Sequence, residues 1–365
     1  MLELAALILA LVHFGFPLTY YWYAKTRWLH RPWNVKVDAN FKPSITIIVP
    51  TYNESELIME KLNNLYSQDY PKSLLKVIVV DSASTDGTAD IVEKWIAEHT
   101  DFNVKLIREE ERRGKASALN LGLKYVEGDV VFIADVDAFW PVDAVSKTVA
   151  WLADFSIGAI SCIKEPMGGG TTEHSYRRFY NVLRIAESKA YATPIFHGEL
   201  AAFKRELLER VGGFPTEIGA DDSHTATLIA LEGYRAIIPE ETICKERIPK
   251  KGHVRWRIRR AQHLIQHFIK VLKMRSKAPA VFRTILEIEA FLHLVNPWVL
   301  ALAATILIAL AIMGSWLSAV FLVAGIMLLI YPPYRMWIVT QAYLAIAAVR
   351  NVFTKELVWE KQKKD

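Results

Sequence analysis

Three long apolar runs frame this chain and decide what the rest of it can become. Leu2 to Tyr23 is a run of about 22 mostly apolar residues, and two more follow at about Phe291 to Met313 and Trp316 to Trp337. Each is long enough to cross a hydrocarbon core of roughly 30 Å as a helix. Between them lies a stretch with ordinary globular patterning, so the expected plan is a compact domain carried on about three transmembrane helices. The runs also account for a 52% hydrophobic composition, which is high for a soluble protein of 365 residues.

The first run has no basic n-region and carries His13 and Pro17, so it reads as a retained anchor at 1–24 and not as a cleaved leader. Lys25, Arg27, His30 and Arg31 follow it with almost nothing basic before it, which predicts the globular region in the cytosol. Arg275, Lys277 and Arg283 before the second run agree with that orientation. So do Arg335, Arg350, Lys355, Lys361, Lys363 and Lys364 after the start of the third. The predicted location is the cell membrane, multi-pass, with two spans within 291–337 and an amphipathic segment and basic tail over 338–365. The formal net charge of +5 is modest and largely juxtamembrane, which favours membrane lipids as electrostatic partners and excludes nucleic acid. Cys162 and Cys244 have no metal-ligand spacing and read as buried free thiols.

The region 43–250 alternates strand and helix patterns. Ile45–Pro50, Lys76–Val80, Val104–Ile107 and Val130–Ala134 are short apolar runs of the buried-strand type, separated by helix patterns at about Ser55–Tyr66, Thr88–His99 and Lys115–Tyr125. That order predicts an α/β domain with a mainly parallel sheet covered by helices on both faces. Farther on, Ala201–Phe214 reads as a helix ended by glycines, and another opens at Asp221-Asp222 and ends at Gly233. Arg255–His263 begins a basic amphipathic stretch whose apolar face runs through Leu264, Ile265, Phe268, Ile269 and Leu272, predicting interfacial helices over 251–290.

In such sheets ligands bind off the carboxyl ends of the strands. Those ends carry Thr51-Tyr52-Asn53-Glu54, Asp81–Asp86 and Asp135-Val136-Asp137. Neither a P-loop nor a Gly-x-Gly-x-x-Gly motif is present, which argues against P-loop nucleotidases and dinucleotide enzymes. Two carboxylates one residue apart at the end of a buried strand are costly unless a cation joins them. Asp135 and Asp137 with substrate phosphates suit Mg²⁺ or Mn²⁺, Asp137 being the better direct ligand. Asp81 faces the rim as a candidate contact to a nucleobase, whereas Asp86 reads as a helix cap and Glu54 as either a ligand or an early-turn acid. Lys115 opens a helix, where a cation is disfavoured unless an anion is bound. Asp221 and Asp222 are either caps or a pair in which one serves as general base. Arg257 and Arg259 offer guanidinium forks to a diphosphate.

These motifs together resemble the family 2 inverting glycosyltransferases of GT-A fold, in their membrane-embedded cellulose-synthase-like branch. The resemblance rests on Val49–Glu54, Asp81 with Ser84 and Asp86-Gly87-Thr88, Gly114-Lys115-Ala116 with Ala118-Leu119-Asn120, the Asp-x-Asp step, and Gly212-Gly213-Phe214 ahead of the acidic pair. It implies donor-nucleotide contacts at Pro50, Thr51, Tyr52, Glu54, Asp81, Lys115 and Asp135, a metal on Asp137 with Asp135, and Asp222 as base with Asp221 as the alternative. It implies diphosphate or acceptor contacts at Arg257, Arg259, Arg260, Gln262 and His197. The family's Thr-Glu-Asp reads Ala220-Asp221-Asp222 here, and its Gln-x-x-Arg-Trp is replaced by Trp256–Arg260, which removes the acceptor-stacking tryptophan and predicts transfer of one sugar or few. The chain is similar to small archaeal membrane mannosyltransferases acting on dolichol-linked glycans. That implies GDP-mannose as the favoured donor, with a UDP-sugar possible, and a polyprenyl- or dolichol-linked acceptor. A polyprenyl-phosphate sugar synthase and a short-chain processive polysaccharide synthase are the alternatives.

Overall fold

The computed structural model describes residues 1–168, 170–248 and 252–358; Lys361, Lys363 and Lys364 of the expected basic tail lie outside them. The chain opens with α1 (Leu2–Tyr23) and then enters the globular region. There β1 (Ile45–Thr51), α2 (Ile58–Tyr66), β2 (Leu75–Asp81), α3 (Thr88–Glu98), β3 (Asn103–Arg108), α4 (Lys115–Leu123) and β4 (Val130–Ile133) alternate as predicted. β1 pairs in parallel with β2 on one side and β4 on the other, and β3 extends the sheet beyond β2. Strand side chains alternate between faces. Ile45, Ile47 and Val49 pack against Leu62 of α2 and Trp95 of α3, whereas Ile48 and Val80 pack against Leu119 of α4.

Beyond β4 come β5 (Ala138–Phe139), α5 (Ala144–Leu152), β6 (Ile157–Ser161), β7 (Ile163–Met167), α6 (Gly170–Ala190), β8 (Ala201–Lys204), α7 (Arg205–Arg210), α8 (Asp221–Leu231), β9 (Arg235–Ile237) and β10 (Ile243–Arg247). The main sheet has seven strands in the order β3-β2-β1-β4-β8-β6-β9, with β8 antiparallel to both neighbours; β5, β10 and β7 make a second, three-stranded sheet. The helix expected over Ala201–Phe214 is corrected: Ala201–Lys204 is a strand, and the helix begins only at Arg205. Alanine favours helix locally, but here Ala201, Ala202 and Phe203 are fully buried in the slot between β4 and β6, whose ladder hydrogen bonds they complete.

The remainder is helical: α9 (His253–Val271), α10 (Ala280–Leu294), α11 (Asn296–Ile312), α12 (Trp316–Met327) and α13 (Pro332–Phe353). Among the described residues, three segments are long and apolar enough to cross a membrane: Leu2–Trp28, Ala280–Ile312 and Pro332–Phe353, with Trp316–Ile330 a shorter apolar helix. The expected bounds of the last two spans therefore move. The apolar stretch reaches back to Ala280, and the run to Trp337 breaks at Pro332-Pro333, which lack the N–H that a continuing helix needs but start a new one well. Residues 338–353, expected as a separate amphipathic segment, are the body of α13.

A second correction concerns α9. Its apolar face is covered by protein: Phe268 and Val271 pack on Leu286 and Ala290 of α10, and Ile265 packs with Leu344 and Ala347 of α13. Ile269 remains exposed. A buried ionic cluster then ties the apolar helices to the globular unit. Arg184 of α6 pairs with Glu187 at 2.7 Å and with Glu289 of α10 at 3.0 Å, and the Tyr20 hydroxyl of α1 donates to Glu187 at 2.7 Å.

Candidate active site

The carboxyl ends of β1, β2 and β4 meet at one rim, where a cavity of roughly 430 Å³ opens. Thr51 ends β1 and its hydroxyl donates to Asp81 Oδ1 at 3.3 Å, while Asp81 Oδ2 accepts the Ser84 N–H at 3.1 Å. Asp81 is buried and lies behind the rim formed by Pro50, Thr51 and Tyr52. The Arg112 guanidinium sits 3.6 Å over the Tyr52 ring. Glu54 also lines the cavity, and its backbone N–H donates to Thr88 Oγ1 at 2.8 Å. Asp86 is occupied structurally: it accepts the Thr88 and Ser55 backbone N–H groups, each at 3.1 Å.

Gly114, at φ +99°, turns the chain into α4 and presents Lys115 to the cavity. The Lys115 ammonium lies 2.6 Å from Asp135 Oδ1 and 3.8 Å from Asp221 Oδ2. Burial alone would lower its pKa, but the charges of Asp135, Asp221 and Asp222 outweigh it and raise the value. Burial raises the Asp135 carboxyl, with Glu199 and Asp137 adding to the shift and Lys115 opposing it. Asp221 is pushed up to about 7, chiefly by burial and then by Asp222 and Asp135 against the pull of Lys115. Its Oδ2 is buried without a hydrogen-bond donor.

Asp222 is half-buried on the same cavity wall, its Oδ1 accepting the Ser223 N–H at 2.6 Å. Asp135, Asp221 and Asp222 thus gather around one lysine, and Asp137 lines the same cavity. No group of three or more His, Cys, Asp or Glu forms a protein-only metal cage among the described residues. The donor set is instead two strand-end carboxylates open to phosphate oxygens, which fits a hard divalent cation.

The opposite wall is α9 and its support. Trp256 is buried, with the Arg260 guanidinium 4.6 Å from its ring. Arg260 pairs with Glu199 at 2.7 Å and with Glu246 at 2.8 Å, and Lys164 joins the same carboxylates at 2.7 and 3.3 Å. Although burial would raise Glu246, Arg260 and Lys164 hold it down at about 2. Arg257 pairs with Glu173, which also binds Arg177 at 2.9 Å. Arg259 lines the cavity, its pKa lowered to about 10 by burial and then by Arg260. Beyond this wall the cavity continues between the apolar helices, lined by Tyr20 of α1, Leu292 and His293 of α10, and Trp337 and Gln341 of α13.

Residues 46–212 match the model of glycosyl transferase family 2, and residues 130–349 match that of glycosyl transferase family group 2. The chain belongs to glycosyltransferase family 2. It is similar to a mannosyltransferase from Pyrobaculum calidifontis, solved in complex with GDP-mannose and Mn²⁺, at 56% identity and a TM-score of 0.92, covering 98% of this chain and 100% of that one. The poly-β-1,6-N-acetyl-D-glucosamine synthase of Staphylococcus aureus is 26% identical over 276 residues, 70% of this chain; the match spans 66% of the synthase, just under two-thirds of its length. Residues 1–349 of S. aureus TarS share the fold alone, at 20% identity and a TM-score of 0.52 over 85% of this chain and 92% of that one. The fold is of the GT-A class.

Within this family 2 fold, the expected donor and catalytic residues Pro50, Thr51, Tyr52, Glu54, Lys115, Asp135, Asp137, Asp221 and Asp222 share one cavity, as do His197, Arg257, Arg259 and Arg260. Gln262 does not. It is fully buried and its amide donates to the Thr354 carbonyl, because residues 256 and 260 lie one turn apart on the cavity face of α9 while 262 and 266 lie on another. The Arg257 and Arg260 forks are taken up by carboxylates. Lys164, Arg177, Glu173, Glu199 and Glu246 escaped sequence reading because they come from three separate elements and one loop, with no shared motif. His197 lies at the cavity edge, its pKa held well below the usual histidine range by burial and by Lys164.

Proposed function

We propose that this chain is an inverting, Mn²⁺- or Mg²⁺-dependent mannosyltransferase that moves mannose from GDP-mannose to a lipid-linked glycan at the cytosolic face of the membrane, adding one sugar or few. The observation that carries this reading is the whole-length similarity to a mannosyltransferase solved with GDP-mannose and Mn²⁺, together with the gathering of Thr51, Tyr52, Lys115, Asp135, Asp137, Asp221 and Asp222 around one cavity.

In this reading the guanine base sits at the rim of β1 and β2, where Asp81 accepts its N–H groups and Tyr52 faces the ring. Asp137 and Asp135 would hold a divalent cation, which would offset the charge of the donor diphosphate. Lys115 and Arg259 add fixed positive charge at the same phosphates, and Lys115 also keeps Asp135 oriented. The acceptor hydroxyl gives its proton to Asp222 as its oxygen attacks the anomeric carbon from the face opposite the diphosphate, and the bond from that carbon to the leaving oxygen breaks. Asp222 is preferred to Asp221 as the base because Asp221 is buried against Lys115.

The continuation of the cavity past Trp256 to Tyr20, Leu292 and Trp337 supports a lipid-linked acceptor. A soluble sugar needs no route between helices apolar enough to span a membrane. Two alternatives remain worth testing: a polyprenyl phosphate could itself attack, or a UDP-sugar could be polymerised. The deciding assay supplies radiolabelled GDP-mannose, Mn²⁺ and a polyprenyl-diphosphate-linked saccharide to the detergent-solubilised protein. Label should enter the organic phase with one or few added mannoses and stop with EDTA. Transfer to polyprenyl phosphate alone, or only from UDP-sugars, would replace the proposal.

A further inference from the structure

Cys162 follows β6 and Cys244 lies in β10, and both are fully buried. Both are free thiols in the structure, as the sequence reading expected, and their sulfurs are in direct contact at 2.8 Å. The backbones bring them together by register. β7 and β10 run parallel with Ile163 opposite Ile243 and Cys244 opposite Lys164, and the Ile163 N–H donates to the Thr242 carbonyl at 2.7 Å. These are the two cysteines of the chain, so no other pairing within it competes. No cluster of three or more His, Cys, Asp or Glu surrounds them among the described residues, so the pair does not read as a metal site.

We propose that Cys162 and Cys244 close into an intrachain disulfide that staples the β5-β10-β7 sheet to the end of β6. In forming it the two thiols lose two protons and two electrons to an external disulfide, of the kind carried by low-molecular-weight thiols or dithiol oxidoreductases. That oxidant is reduced to two thiols as the S–S bond forms. The residues are 82 positions apart, so the bond removes a large loop from the unfolded ensemble. Its position also matters for the cavity. Lys164 is two residues past Cys162 and Glu246 two past Cys244, and these two hold each other and share the carboxylate network around Arg260. The staple therefore fixes the base of the α9 wall. Burial on all sides makes the bond resistant to reductants in the folded protein and confines exchange to locally opened molecules.

The test begins by lysing cells in excess N-ethylmaleimide under denaturing conditions, so that the redox state is trapped before air reaches the protein. Peptide mass spectrometry should find both cysteines unlabelled and joined in one linked peptide pair, with both labelled only after reduction. Purified full-length protein should lose on the order of 10 °C in Tm when unfolded in the presence of dithiothreitol. The C162A/C244A double variant should melt near the reduced protein and be insensitive to reductant. Both cysteines labelled without reduction after trapping at lysis would overturn the proposal, as would a Tm unaffected by reductant in a wild type shown to be linked. If the double variant does not fold, the labelling of the wild type decides alone.

Discussion

Lys115 and Asp135 form the tightest charge contact at the strand-end rim, with the ammonium 2.6 Å from the carboxylate and Asp221 only 3.8 Å away on the other side. The lysine offsets the burial of two acids and leaves the remaining negative charge for a metal. Lys115→Met should leave Asp135 and Asp221 uncompensated, lowering stability by about 3–5 kcal/mol in the absence of divalent cation. It should also weaken GDP binding about 10- to 100-fold through the lost charge-assisted contact. Thermal unfolding and calorimetric titration with GDP and Mn²⁺ measure the two effects separately.

Local pattern carried much of this. The strand runs of β1, β2 and β4 end in polar groups that convergence on one rim makes meaningful, and Lys115 at a helix start is legible because a cation there needs an anion. What was not legible depends on contacts far apart in sequence. Ala201–Lys204 carries helix-forming residues yet pairs between two strands. Arg260 reads as a phosphate ligand until Glu199 and Glu246 are seen to hold it. Gln262 reads as part of the arginine cluster until the helix rotates it away. The apolar face of α9 reads as lipid-facing, but a protein surface covers it just as well.

Gly198 sits where a side chain would collide with Lys115 and Asp222. A Cβ there would lie 2.7 Å from Lys115 Nζ and 3.2 Å from Asp222 Oδ2. Gly198→Ala should displace the lysine and turn the carboxylate, reducing kcat about 10- to 100-fold, since small misplacements at a reacting centre carry costs of this order. Its Tm should stay close to that of the wild type, because the far end of Lys115 can move.

Asp81 accepts hydrogen bonds from Thr51 and Ser84, and in the proposed complex it reads the base. Asp81→Asn replaces an acceptor by a donor facing the guanine N–H groups. GDP binding should weaken by about 10-fold or more, with little change in Mn²⁺ binding in the absence of nucleotide. Equal weakening of GDP and of a nucleotide lacking those N–H groups would remove Asp81 from base recognition.

Acid should destabilise the protein through buried histidines. His224 and His263 are lowered to about 4, each chiefly by burial and then by a nearby cation, and the Nδ1 atoms of His224 and His267 lie 3.4 Å apart. Because the folded state resists protonation, their contribution is fully present above the unfolded value of about 6.5 and is lost as pH falls toward 4. Each can cost up to about 3 kcal/mol at pH 4. Unfolding midpoints measured between pH 8 and pH 4 should fall steeply below pH 6.5, and His224→Asn should flatten that slope.

Asp222 is the residue on which the proposed transfer depends most directly. Single-turnover transfer from GDP-mannose should be compared between wild type and Asp222→Asn, with GDP affinity measured on the same samples. The expected result is a rate at least about 100-fold lower with GDP affinity within about threefold of wild type, as loss of a general base predicts. Near-normal transfer by the asparagine variant would contradict the assigned base and turn attention to an acceptor that is already ionised.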